Sequence, residues 1–146
     1  MSAVVYWDTS ALLAIFIDDA ASRQARKWWK QDTLPASSWL AFPEALAALG
    51  QRHRQGHLGA GEHRQALAEL ETTWAGFHKV PVGPKLAPEL RRVLRLHGLR
   101  GADAVHLASA LLIHRRTGGD AFRFAVHDRA LATAAQAEGL ELAWEP

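Results

Sequence analysis

The sequence predicts an α/β protein in which helices cover both faces of a central parallel sheet. Short runs of β-branched and aromatic residues alternate with longer segments whose apolar residues recur at helical spacing. The first run, Val4 to Trp7, is followed at once by the carboxylate of Asp8 and then by a helical pattern. Because ligands bind at the carboxyl ends of strands in open parallel sheets, we expect Asp8 to lie at a functional edge.

The amino-terminal half supplies helices and one further extended segment. Apolar spacing predicts helices over residues 11–17, 21–29, 39–54 and 63–74, with an extended piece at 33–37. Pro43 then falls in the first turn of its helix, where a missing N–H leaves no hydrogen bond unmade. Gly56, Gly59 and Gly61 mark the turn before the last of these helices, and Gly76 ends it.

The carboxyl-terminal half repeats the alternation. Strands are predicted at 77–82, 122–126 and 140–144, and helices at 85–97, 101–116 and 131–138. Pro81 places the end of the first strand near an edge or terminus of the sheet. Leu86, Leu90, Val93 and Leu94 should face inward. The 101–116 helix is apolar on nearly every face, which predicts a central buried helix, and Gly118 and Gly119 supply its stop.

Composition narrows the class of protein. The 146 residues predict a single domain over 1–146, and 49% apolar with 22% charged residues is typical of a soluble globular chain. Without cysteine, any metal must be held by oxygen or imidazole ligands. We expect no secretory signal and no membrane span, and hence a cytoplasmic protein. The 17 basic against 15 acidic residues give a mild positive charge compatible with a nucleic-acid partner.

Four acids stand at predicted helix starts: Asp8, Glu44, Asp103 and Asp128. Each alone is explained by helix capping or by the helix dipole. Together they would repel one another and raise their pKa values unless a cation neutralised them. Mg²⁺ is the simplest such cation, since it binds through a few carboxylates and keeps waters that a phosphate can displace.

The order and context of these acids resemble a known family. The chain is similar to PIN domains, and most of all to the small VapC-type ribonuclease toxins of bacterial and archaeal toxin–antitoxin pairs. The resemblance spans nearly the whole chain. Its motif segments are residues 5–12, 43–46, 98–108 and 125–131.

The resemblance implies a three-layer α/β/α sandwich and a metal-dependent endoribonuclease. Asp8, Glu44, Asp103 and Asp128 would form the site and hold Mg²⁺ or Mn²⁺, with Asp8 and Asp103 the best candidates for direct ligands. Thr9 or Ser10 would be the hydroxyl residue that helps order the site. A homodimer, an RNA substrate and a cognate antitoxin are the implied partners.

One position departs from the family pattern. Members often carry Thr or Ser two residues before the last acid, where this chain has Val126. We therefore expect Asp128 to lack one supporting hydrogen bond while keeping its place in the site.

Other residues have two interpretations. The basic side chains near the Asp103 helix would either hold RNA phosphates or form a solvated basic face; they are Arg91, Arg92, Arg95 and Arg100. His127 is a candidate substrate contact, whereas His106 is expected to be a packed histidine that could touch the site. Trp28, Trp29 and Trp74 fit helical core positions better than base-stacking platforms.

Two alternative functions remain open at this level. One is a catalytically inactive PIN-like module that binds RNA or a protein, and the other is a housekeeping RNA-processing nuclease. A histidine zinc site is disfavoured because the sequence has neither cysteine nor a His-Glu-x-x-His pattern.

Overall fold

The computed structural model describes residues 3–117 and 121–146. Within them lies one four-stranded sheet in the order β3-β2-β1-β4, and every neighbouring pair is parallel. The strands are β1 (Ala3–Trp7), β2 (Thr33–Ser38), β3 (His78–Val80) and β4 (Phe122–Ala125). The predicted parallel α/β architecture is confirmed.

Helices connect the strands and cover both faces of the sheet. They are α1 (Thr9–Phe16), α2 (Ser22–Trp29), α3 (Ala41–Arg54), α4 (Ala60–Trp74), α5 (Ala87–Leu96), α6 (Gly101–Thr117) and α7 (Arg129–Ala137). Side chains on β1 alternate between two buried clusters. Val5 and Trp7 pack against α1 to α4, and Tyr6 packs with α6 and α7. The sheet is therefore the middle of three layers.

The carboxyl edge of the sheet gathers the starts of several helices. Asp8 follows β1 directly, and its N–H donates to the carbonyl of Ala125 at the end of β4 (3.1 Å). Since Tyr6 pairs with Ala36, Asp8 stands level with Ser38 at the end of β2. The connections after β1, β2 and β4 all leave this edge, so α1, α3 and α7 begin close to it.

The predicted last strand over 140–144 is wrong. Only Leu142 forms a bridge, parallel to Phe124. Trp144 instead turns into the core, where it is 7% exposed and its ring centroid lies 6.2 Å from that of Trp7. Burial of this indole helps to hold the carboxyl-terminal segment against the core.

Prolines account for the differences around β3 and α5. The strand is three residues long because Pro81 cannot donate to the ladder and Phe77 turns into the core. A 3₁₀ turn over Pro84–Leu86 precedes α5, which carries Pro88 in its first turn. Leu94, predicted to face inward, is 44% exposed.

Helix α6 is buried along most of its length, as predicted. The glycines predicted to end it, Gly118 and Gly119, lie outside the described residues. Within the described ranges, no helix combines the length and the apolar character needed to cross a membrane.

Candidate active site

Asp8 is both a helix cap and a buried acid. Its Oδ1 accepts the N–H of Ala11 (2.9 Å), which caps α1. The hydroxyl of Ser10 donates to both carboxylate oxygens, at 3.0 and 3.2 Å. Only 5% of Asp8 is exposed to solvent. The capping interpretation is therefore correct, and it does not remove the cost of burying this carboxylate.

The surroundings of Asp8 disfavour its ionised form. Burial raises its pKa to about 6, and the charge of Asp103 adds to the rise. His106, the N–H of Ala11 and Ser10 act in the opposite direction but do not cancel it. A cation beside Asp8 would stabilise the ionised carboxylate.

Glu44 enters from the first turn of α3, on the other side of the edge. Its Oε1 accepts hydrogen bonds from the Thr9 hydroxyl (2.7 Å) and from Nε2 of His106 (2.9 Å). Burial opposes ionisation of Glu44, but these bonds outweigh burial and hold its pKa below the ordinary value. Oε2 has no partner among the described residues, so one oxygen remains available to a ligand.

His106 links the two helical layers across the end of β1. It lies on α6, is 2% exposed, and its Nδ1 is 2.8 Å from the hydroxyl of Tyr6. Its Nε2 reaches Glu44 and also lies 3.1 Å from the Thr9 hydroxyl. The sequence predicted a packed histidine that could touch the site. In the structure His106 is packed in the interior and also contacts Glu44.

Asp103 stands in the first turn of α6, with 18% of its side chain exposed. Its Oδ2 accepts from Nε of Arg100 at 3.3 Å, and the Arg100 side chain is 84% exposed. Such an exposed pair is weak, because water screens it. The Asp103 carboxylate therefore remains open to a stronger cation.

Asp128 is placed differently from the other acids. It is exposed and caps α7 by accepting the N–H of Leu131 (2.8 Å). Val126 is fully buried in the core, and within the described residues the backbone N–H of Leu131 is the group that holds Asp128.

The donor chemistry of this edge fits a hard divalent ion. Carboxylate and hydroxyl oxygens come from Asp8, Thr9, Ser10, Glu44 and Asp103, and such oxygens are what Mg²⁺ and Mn²⁺ prefer. The described residues contain no ready-made group of three acidic or imidazole side chains close enough to hold a metal. An ion would therefore have to draw the carboxylates together.

The proposed RNA-binding residues fall into two groups. Arg91, Arg95 and Arg100 are exposed. Arg92 instead joins α5 to α7 through ion pairs with Glu89 and Glu138. The pKa values of both these carboxyls lie below the ordinary value. For Glu89, hydrogen bonds from Arg92 and Arg115 outweigh the effect of burial. For Glu138, the hydrogen bond from Arg92 is the largest cause of the lower pKa. Arg92 thus has a structural role whatever else it does.

Nδ1 of His127 is buried and has no hydrogen-bond partner in the described part of the chain. His127 sits beside Asp128, at the same edge of the sheet as the acids. Its predicted contact with substrate stays a prediction.

Trp39 is an aromatic side chain that the sequence patterns did not single out. It follows β2 and its N–H donates to the carbonyl of Val80 (3.0 Å), so it lies at the carboxyl edge. It is 48% exposed, and no other aromatic is among the exposed large apolar side chains of the described chain. The ring of buried Trp74 packs against it in an edge-to-face arrangement, with the two ring centroids 5.9 Å apart. The ammonium of Lys79 lies 5.7 Å from the ring centroid of Trp39.

Comparison with known proteins identifies the family. A family model described as PIN domain matches residues 5–124. The chain belongs to the PIN-domain family. The matched region contains Asp8, Glu44 and Asp103 and ends before Asp128.

Relatives with this PIN domain match almost end to end. Ribonucleases VapC45 and VapC49 of Mycobacterium tuberculosis are each 36% identical over 140 residues, covering 96% of this chain and 94% of theirs. Solved structures show the same fold. A toxin–antitoxin complex from Klebsiella pneumoniae has a TM-score of 0.66 at 17% identity, covering 97% of this chain and 99% of that one. Mycobacterium tuberculosis VapC20, described as a sarcin–ricin loop cleaving toxin, has a TM-score of 0.63 at 18% identity, covering 89% of this chain and 94% of that one.

Proposed function

We propose that this PIN-domain protein is a divalent-metal-dependent endoribonuclease and the toxin of a toxin–antitoxin pair. The observation that carries the chemistry is the buried carboxylate of Asp8, which is destabilised by burial and by Asp103 at a sheet edge where Glu44 also stands. The curated relatives are named ribonucleases and share 36% of the aligned residues, which supports RNA as the substrate.

The roles of the acids follow from their surroundings. Asp8 and Asp103 would hold the ion directly, because neither carboxylate has a strong cationic partner. Glu44 offers Oε2 to the ion or to a water, while its Oε1 is held by Thr9 and His106. We expect Asp128, which is exposed after β4, to act on the ion directly or through a water. When bound, Mg²⁺ or Mn²⁺ supplies an activated water and stabilises charge on the phosphate.

The test of this function is cleavage of single-stranded RNA by the purified protein. We expect cleavage with millimolar Mg²⁺ or Mn²⁺, no cleavage in excess chelator, and recovery when the ion is restored. Addition of the cognate antitoxin should suppress the activity. RNA binding without cleavage, together with no calorimetric signal for Mn²⁺, would instead favour a PIN-like binding module.

Trp39 and Arg100 are suited to hold the RNA beside the acids. Arg100 projects an exposed guanidinium next to Asp103, where it can pair with a backbone phosphate. Trp39 presents an exposed indole at the edge that also holds Asp8. It follows Ser38, which is level with Asp8 in the register of β1 and β2. An aromatic ring next to a lysine ammonium is typical of surfaces that bind single strands, since bases stack on the ring and the cation attracts phosphate.

Trp39→Ala should raise the KM for RNA by about 5- to 150-fold and leave kcat nearly unchanged, because one stacked base contributes roughly 1 to 3 kcal/mol. Steady-state cleavage of a short oligoribonucleotide measures both constants. Leu34→Ala is the matched control, since Leu34 is 59% exposed at the opposite end of β2. Equal KM values for the two variants would show that Trp39 does not bind substrate.

We propose that a cognate antitoxin binds the chain, that two copies form a homodimer, and that the enzyme meets its RNA in the cytoplasm. The exposed leucines of α5, Leu94 and Leu96, are 44% and 55% exposed and give one apolar surface that a second chain could cover. Light scattering of the purified protein measures the mass of the assembly.

A further inference from the structure

A chain of buried hydrogen bonds runs from the middle of the sheet to the candidate metal site. It starts at Tyr6 on β1, passes through His106 on α6 and ends at Glu44 on α3. Tyr6 is fully buried and His106 nearly so. These three residues lie on three different elements, so the chain joins both helical layers to the sheet at its carboxyl edge.

The carboxylate of Glu44 can only accept hydrogen bonds, so Nε2 of His106 is the donor in its contact with Oε1. The hydroxyl of Tyr6 is fully buried and lies 2.8 Å from Nδ1 of His106, to which it can donate. An imidazole that accepts at Nδ1 carries its proton on Nε2. That proton faces Oε1 of Glu44 at 2.9 Å, and Thr9 donates to the same oxygen.

We infer that His106 is a positioning residue for Glu44: the Tyr6 hydroxyl selects its Nε2–H tautomer, and the resulting donor fixes Glu44 Oε1 so that Oε2 is presented to the divalent ion. The inference rests on the proposed function, because it assumes that Glu44 serves the metal site. Histidines that ligate metals are commonly oriented by a carboxylate behind them. Here the order is reversed, with a histidine behind the carboxylate.

Packing alone does not account for this arrangement. A purely structural histidine would need partners for its two nitrogens, and neutral groups would suffice. Nε2 instead meets a partly exposed carboxylate, with 30% of the Glu44 side chain open to solvent. Thr9 donates to Glu44 from a second direction, so the free rotation of this carboxylate is restricted from two sides.

Two isosteric substitutions separate positioning from packing. His106→Gln can place an amide N–H₂ near the position of Nε2, whereas His106→Asn places its amide nearer the position of Nδ1. Both remove the imidazole ring, and Asn is smaller than Gln by one methylene group. Tyr6→Phe removes the group that selects the tautomer while keeping the aromatic ring.

Three readouts test the inference on the full chain. Calorimetry measures Mn²⁺ affinity, RNA cleavage measures kcat and KM, and long-range ¹H–¹⁵N NMR reports the tautomer of His106 without metal. We expect His106→Asn to lose roughly 10- to 100-fold in Mn²⁺ affinity and in kcat with little change in KM, and His106→Gln to retain most of both. The wild type should show the Nε2–H tautomer, and Tyr6→Phe a mixture.

The outcomes separate this inference from the function beneath it. If the wild type binds Mn²⁺ and cleaves RNA but the Gln and Asn variants behave alike, the positioning role is wrong and the function stands. An Nδ1–H tautomer in the wild type also overturns the positioning role. If the wild type neither binds Mn²⁺ nor cleaves RNA, both the proposed function and the inference are overturned.

Discussion

Replacing Asp8 or Asp103 by Asn is expected to abolish metal-dependent RNA cleavage while the protein stays folded. Each substitution removes a negative charge and an oxygen ligand and leaves a side chain of nearly the same size. Loss of an outer-shell partner typically costs roughly 10- to 100-fold in activity, and loss of a direct ligand should exceed that. Initial rates on a fluorescent oligoribonucleotide, with circular dichroism to check the fold, measure the effect.

Asp32→Asn is the matched control for charge and surface. Asp32 is exposed and precedes β2, at the end of the sheet opposite the acids. It should cleave RNA at the rate of the wild type. If Asp8→Asn and Asp103→Asn also cleaved at that rate, these two acids would not form the catalytic centre.

Asp8→Asn should also make the metal-free protein more stable near neutral pH. Burial of Asp8 raises its pKa to about 6 from 3.8, so the folded chain holds a proton on this carboxyl more tightly than the unfolded chain. Below pH 3.8, the pKa of Asp8 in the unfolded chain, the buried carboxyl is protonated and does not destabilise the fold. As the pH rises from 3.8 to about 6 this advantage is lost, and above pH 6 the buried carboxylate destabilises the fold by a constant amount. The difference corresponds to at most about 3 kcal/mol at pH 7.

Thermal unfolding in chelator measures this penalty. Asn still accepts the capping bond from Ala11, since Asn is a good helix cap, so the variant should unfold at a higher temperature than the wild type. Adding Mg²⁺ should then raise the unfolding temperature of the wild type but not that of the variant, because only the wild type binds the ion.

Asp128→Asn is the control for this experiment. Asp128 caps α7 with a bond of 2.8 Å, as Asp8 caps α1 with one of 2.9 Å, but it is exposed. Its unfolding temperature in chelator should stay near that of the wild type. Equal behaviour of the two Asn variants would mean that burial of Asp8 carries no electrostatic penalty.

The sequence predicted where the acids enter the fold but not which of them meet. Asp8 and Asp128 both follow strands, and Glu44 and Asp103 both lie in first turns of helices, as predicted. Their distances depend on how helices from opposite layers pack over the sheet, which local spacing does not contain.

The contacts of His106 show a second limit of local patterns. Its position one turn after Asp103 indicated that it could approach the acids, because residues three apart share a helix face. Its partners Tyr6 and Glu44 are 100 and 62 residues away in the chain. Only the packing of α6 across the end of β1 brings them together. Trp39, which we propose contacts RNA, was not singled out because a single tryptophan after a strand has no periodic pattern.

Strand ends were predicted less well than strand positions. All four strands of the described sheet were foreseen: aromatic and β-branched runs mark β1 and β4, whereas residues 33–37 were predicted as a short extended piece and residues 77–82 from their alternating faces. The segment around Leu142 has the same alternation, yet Trp144 packs against Trp7 and leaves a single bridge. Burial of the Trp144 side chain therefore outweighs the local β-propensity of this segment, which indicated a full strand.

The most direct test of a metal site at this sheet edge is calorimetric titration of Mn²⁺ into the wild type and into Asp8→Asn. The account predicts saturable binding by the wild type at micromolar to millimolar Mn²⁺ and loss of binding in the variant. Binding should also release protons at pH 6, since the ion displaces them from Asp8. Equal binding by the two proteins, or none by the wild type, would contradict the account.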